Sequence, residues 1–399
     1  MRSVVIIDAI RTPIGKYKGT LKNTRPDDLA AVVLKALVNR NPNVPVQEID
    51  DVIFGNANGA GEDNRNVARM ATLLAGLPME VSATTVNRLC GSSLDAVSHG
   101  ARAILSGEAD IIIAGGVESM TRAPFVMGKS ESDFPRGDMK MFDTTIGWRF
   151  INPELHKLYG TETMPQTAEN VAQRLNITRE QQDAFAYNSQ QKTKQALELN
   201  KFNDEIVPVE LKDRKGNVTI FDKDEHPRTD VTMEQLSKLK PLFEEGSITA
   251  GNASGVNDGA AALILMSEEK ANELGLTPLV KYTASATAGV EPAVMGLGPI
   301  YSTKKLLAKQ NLTVADFDLF ELNEAFASQS IACIQGLEID ETKVNVNGGA
   351  ISLGHPLGAS GARILTTLIY EMKRRDAKRG LATMCIGVGQ GITVALENV

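Results

Sequence analysis

The sequence predicts an α/β fold assembled from two similar halves, with a further segment inserted into the first. Three observations predict it. Short β-branched runs alternate with stretches of helical apolar spacing, one glycine-rich pattern occurs twice, and the composition changes between Met120 and Gly246. A chain of 399 residues exceeds one ordinary small domain and leaves room for two or three core-forming units.

The elements follow in order. "SVVIIDA" is a β-branched run that predicts a first strand, and "PDDLAAVVLKALVNR" has the apolar spacing of a helix. "DVIFGNA" is strand-like, "NVARMATLLAGL" helical, and "ADIIIAGGVES" a buried strand ending in glycines. Such alternation predicts parallel strands with helices on both faces. From Met120 the chain becomes rich in Met, Asp, Lys and Pro, holds its only tryptophan, Trp148, and includes "TAENVAQRLNITREQQDAFAYNSQQKTKQAL". That run predicts two polar-surfaced helices. Alternation returns with "SITAGNASGVNDGAAALILMS" and continues to the C-terminus. The expected division is residues 1–119 with 247–270 as a first half, 120–246 as an inserted loop domain, and 271–399 as a second half. "VNRLCGSSLDAVSHGARAIL" and "VNVNGGAISLGHPLGASGARIL" each run from strand through glycine-rich turn into a helix containing Gly-Ala-Arg, which suggests an internal duplication.

Composition excludes several classes. With 42% hydrophobic and 23% charged residues the chain is neither disordered nor fibrous. A formal net charge of -7 provides no basic footprint for nucleic acid. Three cysteines argue against a disulfide framework and for a reducing compartment. "MRSVVIIDAIRTP" is interrupted by Asp8 and Arg11 and is strand-like rather than a signal peptide, and no stretch reaches the roughly 20 apolar residues of a membrane span. A soluble, cytoplasmic protein is expected.

Four places concentrate reactive groups. Cys90 precedes Gly91 and a helix carrying Leu94, Val97, Ala101, Ile104 and Leu105. A thiol at a helix start lies near unpaired N–H groups and the positive dipole end, which lowers its pKa; a buried structural cysteine followed by a serine cap is the alternative. His355 sits before Pro356 at another helix start, among residues expected to be too small to shield it. An apolar strand delivers Cys385 into Gly387, Gly389 and Gly391, where a glycine hairpin would set bare N–H groups beside a thiol. Asn323 lies where a strand ends and a helix begins, so it is first of all a candidate helix cap. Cys333 has a mid-helix core setting; His99, His156 and His226 have no comparable setting. No zinc-ligand spacing occurs, and neither "GNANGAG" nor "GVGQG" has the dinucleotide-loop spacing.

Taken together, "CGSS" at Cys90, "NEAF" at Asn323, "GHP" at His355 and "CIGVGQG" at Cys385 resemble the thiolase family in order and separation. "GGVESM", "TAEN", "TAGNAS" and "NVNGGAI" extend that resemblance across essentially the whole chain. It implies a five-layered αβαβα fold of two similar halves, with a loop domain inserted in the first. It implies CoA-dependent thiolytic cleavage of a 3-ketoacyl-CoA, with Cys90 as nucleophile, His355 as its base and Cys385 as the acid that protonates the acetyl-CoA enolate. His355 and a water on Asn323 would hold the enolate oxygen, and the N–H groups of Cys90 and Gly387 the thioester oxygen. Ser254 would contact the pantetheine arm, Met164 would line the acyl pocket, and Arg228 would lie near the CoA nucleotide. Coenzyme A enters as a substrate with no resident cofactor or metal, no nucleic-acid or membrane partner is implied, and a homodimer or homotetramer is.

Thr163, Met164 and Pro165 stand where short-chain biosynthetic members carry His-Met-Gly. This favours a degradative enzyme of broad chain-length profile over an acetyl-CoA acetyltransferase. "DTTIGWRFINPELHKLYG" further resembles the branch cleaving 3-oxoadipyl-CoA, whose carboxylated chain would want a cation such as Arg149 or His156. The rivals are a decarboxylating condensing enzyme, a nicotinamide-dependent oxidoreductase and a non-catalytic lipid-CoA binding protein.

Overall fold

The computed structural model describes residues 2–399. The first half runs β1 (Val4–Arg11), β2 (Gly15–Lys16), α1 (Pro26–Arg40), β3 (Asp51–Gly55), α2 (Val67–Leu74), β4 (Ser82–Val86), α3 (Ser92–Ser106) and β5 (Ile111–Ser119). Pro26 opens α1 with its preset φ, and Asp27 and Asp28 sit in the first turn, where negative charge complements the helix dipole.

Residues 120–246 then form a chain of small elements. They are β6 (Phe125–Met127), β7 (Met141–Asp143), α4 (Pro153–Tyr159), α5 (Met164–Arg174), α6 (Arg179–Glu198), β8 (Val209–Lys212), β9 (Val218–Phe221) and α7 (Met233–Ser237). α5 and α6 are the two polar-surfaced helices. Capping boxes fix their starts, Thr163 with Gln166 and Thr178 with Gln181. The rest comprises β10 (Asn257–Ser267), α8 (Glu268–Glu273), β11 (Val280–Gly289), α9 (Gly298–Gln310), β12 (Leu319–Leu322), α10 (Ala327–Leu337), α11 (Ala350–Leu353), α12 (Leu357–Arg375), β13 (Arg379–Ile386) and β14 (Gln390–Asn398).

The sheet order is β12-β13-β14-β11-β1-β10-β5-β3-β4, and the two halves join at β1–β11 through Val4–Ile6 alone. Parallel strands were expected from the alternation, with one hairpin after Cys385; the sheet is mixed, and that hairpin is present. β3 is parallel to β4 and β5, and β12 to β13, but β10 runs antiparallel to β1 and β5 and β14 antiparallel to β11 and β13. The reason is connectivity. A tight hairpin joins β13 to β14, and the long insertion lets β10 return beside β5 in the opposite sense.

Three apolar cores separate five layers. α1 and α2 cover one outer face, with Leu29, Val33 and Leu34 against Val5, Phe54 and Ile113. α3 and α12 lie between the two halves of the sheet, joining Leu94, Val97, Ile364 and Leu368 to Leu265, Met384 and Val394. The other outer face packs Leu306 and Leu307 of α9 and Cys333 and Leu337 of α10 on Phe320 and Leu381. β1 shows how one strand serves two cores. Val4 and Ile6 face the central core and Val5 and Ile7 the outer one; a register shift between Ile6 and Asp8 then reverses the parity, so that Ala9 faces inward and Ile10 outward.

The two Gly-Ala-Arg helices are the pair that meet at the centre. Ala362 N–H donates to Ser93 Oγ at 2.9 Å, and a Cβ on Gly361 would lie 2.4 Å from the Leu94 nitrogen. Two local expectations fail. The strand expected over Val344 to Asn347 is a single bridge of Val344 to Phe320. Asn323 caps no helix, because α10 begins at Ala327 with Phe326 at its cap position. No helix of the described residues is long and apolar enough to cross a membrane.

Candidate active site

The Cys90 turn is folded by Ser92. Its hydroxyl accepts from Arg88 N–H at 2.9 Å and donates to Leu89 O at 2.6 Å, closing the chain over itself before α3. Leu89 takes φ +47, and Val388 across the cleft takes φ +63, a strained value for a β-branched residue. Between them Cys90 is half-buried, and Gly387 lines the same cleft with its N–H placed to favour the thiolate. A lowered thiol pKa was expected from the helix start. Instead burial pushes the Cys90 thiol up to about 11, outweighing the Gly387 N–H that lowers it. Desolvation of the charged form wins because a helix end supplies only about 0.3–1 kcal/mol in ordinary settings.

His355 is held from three sides. Its backbone N–H donates to Asn257 Oδ1 at 2.9 Å, and its Nδ1 lies 2.6 Å from Ser360 Oγ. The Ser360 hydroxyl spends its single proton on Pro356 O at 2.9 Å, so Nδ1–H is the donor to Ser360. The lone pair is therefore on Nε2, where Asn323 Nδ2 approaches at 3.5 Å. Far from being left unshielded, His355 is 5% exposed, and burial, followed by the nearby Arg363, pushes its pKa down to about 3. The imidazole is neutral. Asn323 is wholly buried, and its Oδ1 has no protein partner.

Cys385 ends β13 beside Met295 and Phe326. Its thiol is held well above the ordinary range, first by burial and then by the neighbouring Cys90 thiol, so it stays protonated. Gly389 takes φ +80 in the hairpin that follows, which brings Gly387 N–H to Cys90. Glu118 ties the two turns together. Its Oε2 accepts from Ala57 N–H and from Gly358 N–H in the first turn of α12, both at 2.8 Å, and it lines the Cys90 cleft.

That cleft, about 370 Å³, is walled by Leu89, Met120, Trp148, Met164, Leu357 and Val388. Met164 thus lines the cleft onto which Cys90 opens. Arg149 lines the same cleft with no acidic partner within 4 Å, whereas the exposed His156 bonds Thr161 at 2.8 Å and lies outside it. A second groove of about 310 Å³ is lined by Gln190, His226, Arg228, Ala253, Gly255 and Ile351. Ser254 sits between two of those residues, with its N–H on Ala325 O at 3.0 Å.

The sequence reading missed His226 and Asn257. His226 is pushed down to about 4, chiefly by burial and then by Arg228, and Asn257 Nδ2 bonds its Nδ1 at 3.2 Å. Asn257 therefore joins the second groove to the His355 backbone. One signal was available: His226 and His355 are each followed by proline.

The structure places Asn323 at His355 and Cys90 near Cys385, and the helices that follow Cys90 and His355 meet through Ser93 and Ala362. The Thiolase, N-terminal domain family matches residues 4–269 and the Thiolase, C-terminal domain family residues 276–398. The chain is 57% identical to a beta-ketoadipyl-CoA thiolase of Acinetobacter baylyi and 58% identical to a 3-oxoadipyl-CoA/3-oxo-5,6-dehydrosuberyl-CoA thiolase of Escherichia coli, covering 100% of each chain in both comparisons. It superposes on the crystal structure of the Bacillus anthracis acetyl-CoA acetyltransferase with a TM-score of 0.93 at 42% identity, covering 100% of this chain and 99% of that one. The chain belongs to the thiolase family and is an acyltransferase of the kind that cleaves 3-ketoacyl-CoA with CoA.

Proposed function

We propose that this thiolase cleaves 3-oxoadipyl-CoA, with Cys90 as its nucleophile. One observation carries the mechanism: Ser360 and burial keep His355 neutral with its lone pair on Nε2, while Cys90 and Gly387 line one cleft. The substrate comes from the similar enzymes, whose names specify a chain ending in a carboxylate. They favour the dicarboxylic alternative over the broad chain-length profile.

In this reading Nε2 takes the Cys90 proton as the sulfur attacks the ketone carbon, and the N–H groups of Cys90 and Gly387 hold the resulting oxyanion. Collapse breaks the bond between carbons 2 and 3, leaving the acyl group on Cys90 and the acetyl-CoA enolate. The enolate oxygen is held by the imidazolium N–H and by a water donating to Asn323 Oδ1, and Cys385 protonates carbon 2. The Cys385 thiolate then takes the proton of an incoming CoA thiol. That thiolate attacks the acyl-Cys90 thioester, and Cys90 recovers its proton from His355. The second groove, with Arg228 and Ser254, suits the CoA carrier, and Met164 the acyl chain. CoA is a substrate, and each proton has a protein group assigned, with no resident cofactor. The exposed edge strand β4 and the exposed Phe125, Met127 and Met141 of the β6–β7 hairpin support assembly as a dimer or tetramer.

The test is thiolysis of acetoacetyl-, 3-oxohexanoyl- and 3-oxoadipyl-CoA, with and without CoA. Loss of the ketoacyl absorbance should require CoA, be fastest with 3-oxoadipyl-CoA, and vanish in Cys90→Ala and His355→Ala. Equal kcat/KM for 3-oxohexanoyl-CoA, or activity on acetoacetyl-CoA alone, overturns the substrate assignment.

A further inference from the structure

We propose that Arg149 binds the terminal carboxylate of the acyl chain carried by Cys90, and that Asn58 positions it by a neutral contact that leaves its charge uncompensated. The inference rests on the dicarboxylic substrate proposed above and names the residues that select it.

Arg149 is the one basic side chain lining the cleft that contains Cys90. Many of the other arginines sit on acids, among them Arg11 on Glu205 and Asp224, Arg122 on Glu62 and Arg88 on Asp95. Arg149 instead makes a single hydrogen bond, from Nη2 to Asn58 Oδ1 at 3.4 Å. The orientation of that amide is fixed by its other end. Asn58 Nδ2 donates to Thr144 O at 3.1 Å and to Thr144 Oγ1 at 2.9 Å, and the Thr144 hydroxyl spends its own proton on Pro124 O at 2.6 Å. Thr144 thus offers only acceptors to Nδ2, and Oδ1 must face Arg149. A guanidinium has five N–H donors in a planar fork, so one long bond to a neutral oxygen holds the group while leaving a bidentate edge for a carboxylate. The two acids of the cleft leave that edge alone. Glu118 accepts from Ala57 and Gly358 through Oε2, and neither it nor Glu162 comes within 4 Å of Arg149. Arg149 comes from the inserted segment and Cys90 from the first half. The two therefore meet only because that segment folds over the cleft, with Trp148 fixed by its Nε1–H on Glu162 O at 3.1 Å.

The test compares kcat/KM for 3-oxoadipyl-CoA with that for 3-oxohexanoyl-CoA, which has the same length and no carboxylate. Arg149→Met should collapse the wild-type preference by roughly a hundredfold, and Arg149→Lys by about tenfold, because an ammonium cannot present the fork. Asn58→Asp should place an acid on Arg149 and erode the preference through KM rather than kcat. A wild-type enzyme with no preference overturns the substrate reading and this inference together. A wild-type preference that survives Arg149→Met overturns this inference alone. If Arg149→Met turns over neither substrate, calorimetric dissociation constants for succinyl-CoA and butyryl-CoA replace the ratio and decide on the same terms.

Discussion

The turns before α3 and α12 are the two copies of the duplicated segment, and each sets a reactive side chain at the mouth of a central helix. In the first copy Cys90 is half-buried and lines a cleft of about 370 Å³. In the second, His355 is buried and bonded through its backbone to Asn257 and through its ring to Ser360. The difference follows from the work proposed for each. A nucleophile must be reached in turn by a ketoacyl thioester and by free CoA, so its surroundings stay partly open. A base need only keep one lone pair in one place, and burial with a fixed tautomer does that. The pair also shows that position at a helix start does not set a pKa. Burial pushes Cys90 up and His355 down, so both rest uncharged and the proton moves only when substrate is present.

The largest break in this comparison is Cys90→Ala. Thiolysis should fall by on the order of 10⁴–10⁶, as when an enzyme loses its nucleophile, while the thermal melting curve stays close to wild type because the site is partly open. A melting temperature that collapsed with activity would make Cys90 a packing residue. Next comes the contact that joins the two turns. Gly361→Ala forces a methyl to within 2.4 Å of the Leu94 nitrogen and 2.6 Å of its Cβ, and overpacking of this kind costs about 3 kcal/mol. Denaturant unfolding should show that loss, and an unchanged midpoint would mean that the central helices separate freely.

A finer break lies at Ser360→Ala, which frees the imidazole tautomer and removes two buried hydrogen bonds, to His355 Nδ1 and to Pro356 O. A drop of about tenfold in kcat is expected, with the KM for CoA unchanged; restoration by Ser360→Thr would assign the effect to the hydroxyl. The smallest effect concerns charge alone. With the Cys90 thiol pushed up to about 11, the thiolate fraction falls about tenfold for each pH unit below that value. Iodoacetamide should therefore inactivate the free enzyme at a rate still climbing above pH 9. A plateau by pH 8 would show that the helix end, and not burial, governs the thiol.

Much of the fold was legible from local patterns. β1, α1, β3, α2 and β5 lie where β-branched runs and helical spacing put them, because each period is a property of neighbouring residues. The glycines after Cys385 also announced the β13–β14 hairpin, but the antiparallel placement of β10 beside β5 was not legible, since it depends on which strands meet after a long connection. At the site, Cys90, Asn323, His355 and Cys385 stood out by motif, yet their surroundings did not. Asn257 reaches His355 across 98 residues, and Asn58 reaches Thr144 across 86. Between Arg149 and His156, seven positions apart, nothing local says which enters the cleft.

The sequence by itself determined the α/β class, the duplicated central helices and the types of reactive group, because periodicity, glycine turns and side-chain chemistry are local. Only the tertiary structure decided that both central groups rest neutral, that Asn257 links the second groove to His355, and that Arg149 lines the Cys90 cleft on a neutral partner. Burial and hydrogen-bond partnership depend on which distant segments come together, and desolvation then outweighs what any local position implies.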